Sequence, residues 1–565
     1  FCLSRGLGDV YKRQPLSLRI NMKTAILKST CIALLMGNMF SCDVLDVEPL
    51  DSYTEDGIFT DANLTESYVT MNYTKPRNGW SRSSLRFVCD ESMENFNWAS
   101  AWSINTGGLA PDQLGGLDIW SDYYANIKNC NIFFSNMDKV ETIDEPRRSW
   151  LIGEATFFRA YYYMELVNNY GGVPLITRLF ELDDPEMMIK RNTYEDCVDF
   201  IVSEFQKASE LLPEKFAGEN FGRVTKGAAL AMKSRMLLYA ASPLWNPAND
   251  KSKWEAAAKA AEEVMKLGYS LDTDYKGLFL NPMSSEIIFQ RLYNTEFGHW
   301  YDWYNSTNGW GGYSCTAVLQ EMVDSYEMED GTMPDPALYT SATTDPWAGR
   351  DPRLYASVVC DGQLFRGTEV EFWVNNDGKT GGIDSEFGKD AWNYSKTHYI
   401  IRKFMDENLT KSWSDKGKQP WVYCRLAEIY LNYAEAMYHC GKEDVAREYV
   451  NYIRKRARGG REDILPDVTE SGEALLAKIQ HERKVELAFE EHRFYDVRRW
   501  KIAEKVDKGA FHGINITKQT DGTKKYELFK IQDRDFVAPA NYLLPIPRYE
   551  IQKNDLLEQN PGYDK

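Results

Sequence analysis

RLAEIYLNYAEAMYHCG, residues Arg425–Gly441, decides the fold. Leu426, Ile429, Tyr430, Tyr433, Ala434 and Met437 recur at i, i+3, i+4, i+7, i+8 and i+11, one apolar stripe along an α-helix. Gly441 follows as the residue that most easily takes the left-handed conformation just past a helix end. A second helix is expected directly after it, with Ala446, Tyr449, Val450, Ile453 and Ala457 at the same spacing. Ala434 and Ala446 are small where the two helices of a hairpin must cross closely. A third helix is expected around Glu482–Trp500. Such helices cannot bury their apolar faces alone, so more pairs must lie elsewhere.

Ala434, Gly441, Ala446 and Val450 keep the relative offsets of a tetratricopeptide (TPR) helix pair. Upstream, Trp120–Asn136, Glu145–Tyr170, Thr193–Leu212, Thr225–Ala241 and Trp254–Leu267 read as the additional helices. Gly171-Gly172, Pro213, Ser242-Pro243 and Gly268 stop four of them. The expected fold class is mainly α: a TPR-like helical repeat scaffold with a long loop-rich insertion and a few short β-strands. Helical pairs occupy about 120–268 and 425–500, and loop-rich segments about 79–116 and 269–420. Glu286–Tyr293, Glu369–Val374 and His398–Phe404 are strand candidates, and the tail from Ile502 reads as loop-rich. No low-complexity linker divides residues 42–565, which read as one domain.

The 565 residues carry a formal net charge of −18, which argues against nucleic acid and against adsorption to anionic lipid. Aromatic residues make up 13%, a high share. Residues 1–21 do not read as mature protein and are expected to be a non-native or mis-called extension, with Met22 as the start. From there Lys23 and Lys28 precede the apolar run Cys31–Phe40, the pattern of an export signal over residues 22–41. That run is too short to span a bilayer. Met39-Phe40-Ser41-Cys42 resembles a bacterial lipobox, which makes Cys42 the expected lipidated residue. Seven of the ten cysteines lie beyond this leader, scattered and without C-x-x-C spacing, so neither a disulfide framework nor a zinc site is expected.

Several blocks together resemble the SusD/RagB family of Bacteroidetes nutrient-binding outer-membrane lipoproteins. They are GEATFFRAYYYMELVNNYGGVPL (Gly153–Leu175), VTKGAALAMKSRMLLYAASP (Val224–Pro243), LQEMVDSYEMEDG (Leu319–Gly331), RDPRL (Arg350–Leu354), RLAEIYLNYAEAM (Arg425–Met437), ERKVELAFEEHRFYDVRRW (Glu482–Trp500) and PIPRYEIQKNDLLEQNPGY (Pro545–Tyr563). The resemblance implies a helical scaffold with an irregular ligand-binding face. It also implies a lipid-anchored place at the cell surface, on the outer membrane, where such proteins bind oligosaccharide and pass it to a SusC-like TonB-dependent transporter. No nucleic-acid partner is implied.

Sugar recognition needs flat apolar faces against the C–H face of a pyranose, with polar groups at the rim, and Trp and Tyr supply both on stiff side chains. Two stretches qualify. The first is Asn97-Trp98 with Trp102, flanked by Asp90, Glu91 and Asn95. The second is HWYDWYNSTNGWGGY, in which Trp300, Trp303, Tyr304, Trp310 and Tyr313 alternate with Asp302, Asn305 and Asn308. The competing reading puts these rings in the core, as large aromatics often are. The second stretch has no helix or strand period by which to face inward.

No catalytic residue is expected. The charges of Glu482–Arg499 read as i,i+3 ion pairs on helices, namely Arg483/Glu486, Glu490/Arg493 and Arg493/Asp496, with Arg425/Glu428 a further one. A glycosidase needs two carboxylates facing across a cleft, and nothing isolates such a pair. Asp272-x-Asp274 opens like a calcium loop, but Lys276 and Met283 occupy ligand positions. No cofactor is expected, and a structural calcium ion is not predictable. The alternatives are a peptide- or protein-binding TPR-type adaptor and a glycan-degrading enzyme.

Overall fold

The computed structural model describes residues 55–81, 84–181, 184, 186–340, 345–409 and 411–564. The chain divides into two units, and the helical turn Glu55–Ile58 is the described part of the first. The second, Phe59–Lys565, opens with helix α1 (Ala62–Thr70), capped by the Asp61 carboxylate. Then come α2 (Trp120–Asn136), α3 (Arg147–Tyr170), α4 (Tyr194–Leu211), α5 (Lys226–Ala241) and α6 (Lys251–Met265). The local chemistry matches most of the expected boundaries. Thr193 closes a capping box with Asp196 and Thr225 caps α5, whereas Asp250 caps α6, which begins three residues ahead of the expected start at Trp254.

After the insertion come α7 (Leu426–His439), α8 (Glu443–Ala457), α9 (Gly472–Glu486) and α10 (Arg493–Arg499). Helix α7 ends as its sequence implies. Gly441, with φ at 76°, lets Lys442 N–H reach the Met437 carbonyl while its own N–H bonds Tyr438, a Schellman motif. From α2 to α8 each helix packs on the next in chain order, and α6 meets α7 across the intervening insertion. Ala434 and Ala446 are fully buried in this stack. The fold is thus a mainly α helical-repeat scaffold.

Three expectations are corrected. The helix expected over Glu482–Trp500 is broken: α9 stops at Glu486, and Phe489 and Glu491 adopt left-handed backbone before α10 begins. The tail from Ile502 is not loop-rich throughout, because Gly509–Lys518 and Lys524–Arg534 form a long antiparallel hairpin. Its Asp521-Gly522 turn was the available signal. The other strand candidates shrink to fragments. Thr368–Glu369 and Val374–Asn375 replace Glu369–Val374, and Ile400–Ile401 replaces His398–Phe404. Glu286–Tyr293 does hold a strand, Ile287–Arg291, paired with Trp421–Arg425.

The charges of the last helices are not surface pairs. Glu428, Asn432 and Glu435, the polar stripe of α7, are buried as completely as its apolar stripe. Glu428 pairs with Arg235, Asn432 accepts from Arg483, and Glu435 pairs with Arg499. Arg483 pairs with Asp496 at 2.7 Å and Arg493 with Asp90 at 2.7 Å, so all four i,i+3 assignments fall, while Arg499 with Asp496 is an i,i+3 pair not anticipated. Arg425 sits among Glu286, Glu486 and Glu490 at 2.6–2.7 Å. Arg353 joins Asp351 to Glu482 and Glu486, and Arg454 joins Glu327 to Glu482. This ionic seam ties the insertion to the final helices. It also explains why the blocks from Glu327 to Arg499 are so rich in charge: they are interior.

Glu91 is one of several buried carboxyls that stand outside the seam. Glu91 accepts the Phe489 N–H at 2.9 Å, and burial pushes its pKa up to about 8. A folded pKa above the unfolded value gives stability that is complete below about pH 4.5 and lost as pH rises through 8. Glu91→Gln keeps the acceptor and removes the titration. Urea midpoints at pH 5 and pH 8 should therefore fall more steeply for the wild type than for Glu91→Gln, and parallel falls would refute this reading.

The described cysteines beyond the leader, Cys89, Cys130, Cys197, Cys315, Cys360, Cys424 and Cys440, are buried free thiols. Among the described residues no helix is long and apolar enough to cross a membrane.

Candidate functional site

The two ring-bearing stretches meet. Glu94 of the short strand Ser92–Glu94 pairs with Thr316 of Thr316–Val318, so the chain leaving the first strand runs beside the chain entering the second. Asn95 N–H continues the ladder to the Cys315 carbonyl. This places Phe96, which carries Trp98, next to Tyr313. The short helix Tyr301–Asn305 carries Trp303 and Tyr304 to the other side of Tyr313.

The result is a chain of rings on one face. Trp98 stacks on Phe96 (centroids 5.5 Å, 22° between planes), and Phe96 meets Trp392 at 5.7 Å. Trp392 meets Tyr313 edge-on at 5.8 Å, Tyr313 meets Trp303 at 5.2 Å, and Trp303 meets Trp300 at 5.7 Å. Tyr304 stacks on Trp303 and also touches Tyr313. Trp98 and Trp392 are the open rings of this arrangement, 67% and 62% exposed, while Phe96 lies buried beneath them. Trp300, Trp303, Tyr304 and Tyr313 are half-buried. Large apolar rings held at this exposure offer stacking area at low ordering cost.

Asn97 is exposed beside Trp98. Trp102 and Trp310 do not make the ring contacts of this chain. Trp102 packs against the small core of Met93, Ala317, Leu319 and Phe511 and donates its Nε1–H to the Glu94 carbonyl at 2.8 Å. Trp310 is half-buried under the Arg366 guanidinium.

The polar residues offered as a rim are interior instead. Asp90 is engaged by Arg493 and Lys484, and Glu91 by Phe489. Asp302 accepts from Gln419 (2.6 Å), from the Asp406 N–H (2.8 Å) and from Arg366 (3.1 Å). Burial still raises its pKa to about 6 against those donors. Asn95, Asn305 and Asn308 are buried and bond backbone.

Two ring residues escaped sequence reading. Phe96 was visible only as part of an aromatic segment, and Trp392 stands alone in KDAWNY, Lys389–Tyr394. A single Trp among Asp and Asn was the only signal there. Charged groups at the edge include Lys416, whose Nζ is 6.0 Å from the Trp300 ring, and Lys396, 3.5 Å from Tyr394. Burial lowers the Lys396 pKa, partly offset by Glu386.

This site is an open face. A cavity of about 710 Å³ lies instead on the helical side, among Phe216, Phe221, Tyr269 and the strand Ile287–Arg291, and includes none of these rings. An extended polymer needs an open face more than an enclosed pocket, so the ring chain is the better candidate. Among the described residues no group of three or more His, Cys, Asp or Glu is placed to hold a metal ion.

Comparison with known proteins follows the same lines. The family described as the SusD family matches residues 279–563, and one described as starch-binding associating with outer membrane matches residues 43–238. The SusD-like protein P25 of Formosa agariphila is 26% identical over 473 residues, 79% of this chain and 79% of that protein. The crystal structure of a SusD-like protein from Bacteroides fragilis superposes with a TM-score of 0.77 at 32% identity, covering 91% of this chain and 100% of that one. A SusD-like carbohydrate binding protein of the same organism gives a TM-score of 0.75 at 24% identity, over 89% of this chain and 100% of its own.

Proposed function

This chain belongs to the SusD family, and on that premise we propose that it is a non-enzymatic cell-surface glycan-binding protein. The observation that carries the proposal is the ring chain from Trp98 through Trp392 and Tyr313 to Trp300, with the Trp98 and Trp392 indoles open to solvent. Such a surface takes the apolar faces of successive sugar rings. Asn97, Trp98, Trp300, Trp303, Tyr304 and Tyr313 are the proposed ligand-binding residues, now with Phe96 and Trp392. Trp310 would act from the edge, and Trp102 by supporting the strand beneath. A family relative whose structure is described as carbohydrate binding supports the ligand class.

The scaffold beneath the rings has the character of a passive binder. The seam's carboxylates are neutralised by arginines in the interior, where no substrate reaches, so they do not form the facing pair that glycoside cleavage requires. The proposal includes delivery of the glycan to a SusC-like TonB-dependent transporter, with a lipid anchor on Cys42 holding the protein at the outer membrane. Cys42 lies outside the described residues. Mass spectrometry of the mature N-terminus should find a di- or triacylated Cys42, and an unmodified Cys42 would remove the anchor from the proposal.

Isothermal calorimetry of the protein from residue 43 onward against a panel of plant and host polysaccharides tests the ligand class. Binding of at least one polysaccharide is expected, without accumulation of reducing ends during incubation. Binding of peptides alone would favour the adaptor reading, and release of reducing ends would favour the enzyme.

A further inference from the structure

We infer that Asn95 and Asn308 are positioning residues of the ring site, which act on a glycan they never touch by fixing Trp392; the inference rests on the glycan-binding reading. Trp392 belongs to neither of the other ring-bearing stretches. It rides on a short helical turn, Ala391–Asn393, inside an irregular segment without long strands. Nothing in the regular secondary structure sets where this indole stands.

Two buried amides do. On the N-terminal side, Asn308 Nδ2 donates to the carbonyls of Lys389 (2.8 Å), Ser385 (3.1 Å) and Ile383 (3.4 Å). On the C-terminal side, Asn95 Nδ2 donates to the Tyr394 carbonyl at 2.9 Å, and its Oδ1 accepts the Lys396 N–H at 2.8 Å. Asn95 also reaches the Tyr313 carbonyl at 3.4 Å. Trp392 is therefore suspended between two clamps. One is rooted one residue from Phe96. The other is rooted in the loop between Tyr304 and Tyr313. The two clamps refer the indole to both neighbours it must touch, Phe96 at 5.7 Å and Tyr313 at 5.8 Å.

The residue type is dictated by this geometry. Each clamp needs donors on a short side chain, and Asn95 needs an acceptor on the same side chain. Aspartate would turn a carboxylate toward carbonyl oxygens, and alanine would leave buried backbone groups without partners. Both asparagines are almost wholly buried, Asn308 at 0% and Asn95 at 2% exposure, so neither is available to a sugar. A side chain with this pattern orients others and binds nothing itself.

The test is a double-mutant cycle read by calorimetry with the polysaccharide that binds best. Asn308→Ala and Asn95→Ala should each weaken binding by roughly 5- to 30-fold in the wild-type background, and by less than about 2-fold in the Trp392→Ala background. Equal losses in both backgrounds would show general damage and overturn the inference, as would no loss in either. If an alanine variant does not fold, Asn308→Ser and Asn95→Ser, which keep one hydroxyl donor, carry the same cycle. Intact binding in Trp98→Ala/Trp392→Ala would instead overturn the glycan site itself. Loss there with normal binding in both clamp variants would overturn the clamps alone.

Discussion

Trp392→Ala should weaken polysaccharide binding at least about tenfold, equivalent to about 1.4 kcal/mol, with little change in melting temperature. The indole is 62% exposed, so its loss opens no large cavity. It is also the exposed ring between Trp98 and Tyr313, which are otherwise joined only beneath it, through Phe96 edge-on to Tyr313 at 6.4 Å. Removing it leaves the Trp98 and Tyr313 parts of the surface joined only through the buried Phe96. A glycan spanning both parts then loses a stacking partner and the register between the remaining ones. Trp102→Ala supplies the contrast. That indole packs on Met93 and Phe511 and bonds Glu94, so it should lower stability by about 3 kcal/mol and leave the affinity of the folded protein within about twofold. Calorimetric titrations of both variants against one ligand decide the matter. Equal affinity for wild type and Trp392→Ala would remove this residue from the site.

Glu486→Ala should be the most destabilising single change in the seam, by about 3–5 kcal/mol. Its carboxylate is fully buried and bonds Arg425 at 2.6 Å, Arg353 at 3.0 Å and also Arg456. Removing it leaves guanidiniums short of charge in a place that water does not reach. Against a typical total stability of about 5–15 kcal/mol, the loss brings the protein close to unfolding. Urea denaturation measures it, and a loss under about 1 kcal/mol would mean that the seam is energetically slack.

The same group sets an acid limit. Burial alone would raise the Glu486 pKa, but Arg456, Arg425 and Arg353 hold it far below the ordinary carboxylate range. Glu482 and Glu490 are held low in the same way. A folded pKa below the unfolded one gives stability that is present above about pH 4.5 and lost as pH falls toward the folded value. Acid unfolding is therefore expected to begin below about pH 4.5, opposite in sign to the slope that Glu91 contributes above it.

The seam also shows how sequence periodicity misleads. In α7 the apolar stripe from Leu426 to Met437 is correct, and the helix, its Gly441 stop and its hairpin partner follow from it. Glu428, Asn432 and Glu435 form an equally regular polar stripe, which by itself means a solvated face. Each instead meets a side chain from a distant segment: Arg235, Arg483 and Arg499. Spacing along one helix reports which residues share a face and is silent on what covers that face.

The ring site divides in the same manner. Local pattern was enough to find Trp98 and the Trp300–Tyr313 stretch, because rings without a helix or strand period stand out within a few residues. It was not enough to separate Trp98 from Trp102, or Trp303 from Trp310. Those fates depend on how the strand Ser92–Glu94 registers against Thr316–Val318 and on where Arg366 lies.

What the sequence determined by itself was the helical scaffold, most of its boundaries and its family, since helix periodicity, caps and stop residues act over one or two turns. The tertiary structure alone decided that Asn95 and Asn308 are buried against backbone, that the last helices carry an internal ionic seam, and that Trp392 joins the other rings. The reason is physical. Burial, charge pairing and ring contact depend on distances between segments up to some 400 residues apart, such as Asp90 with Arg493, which no local spacing encodes.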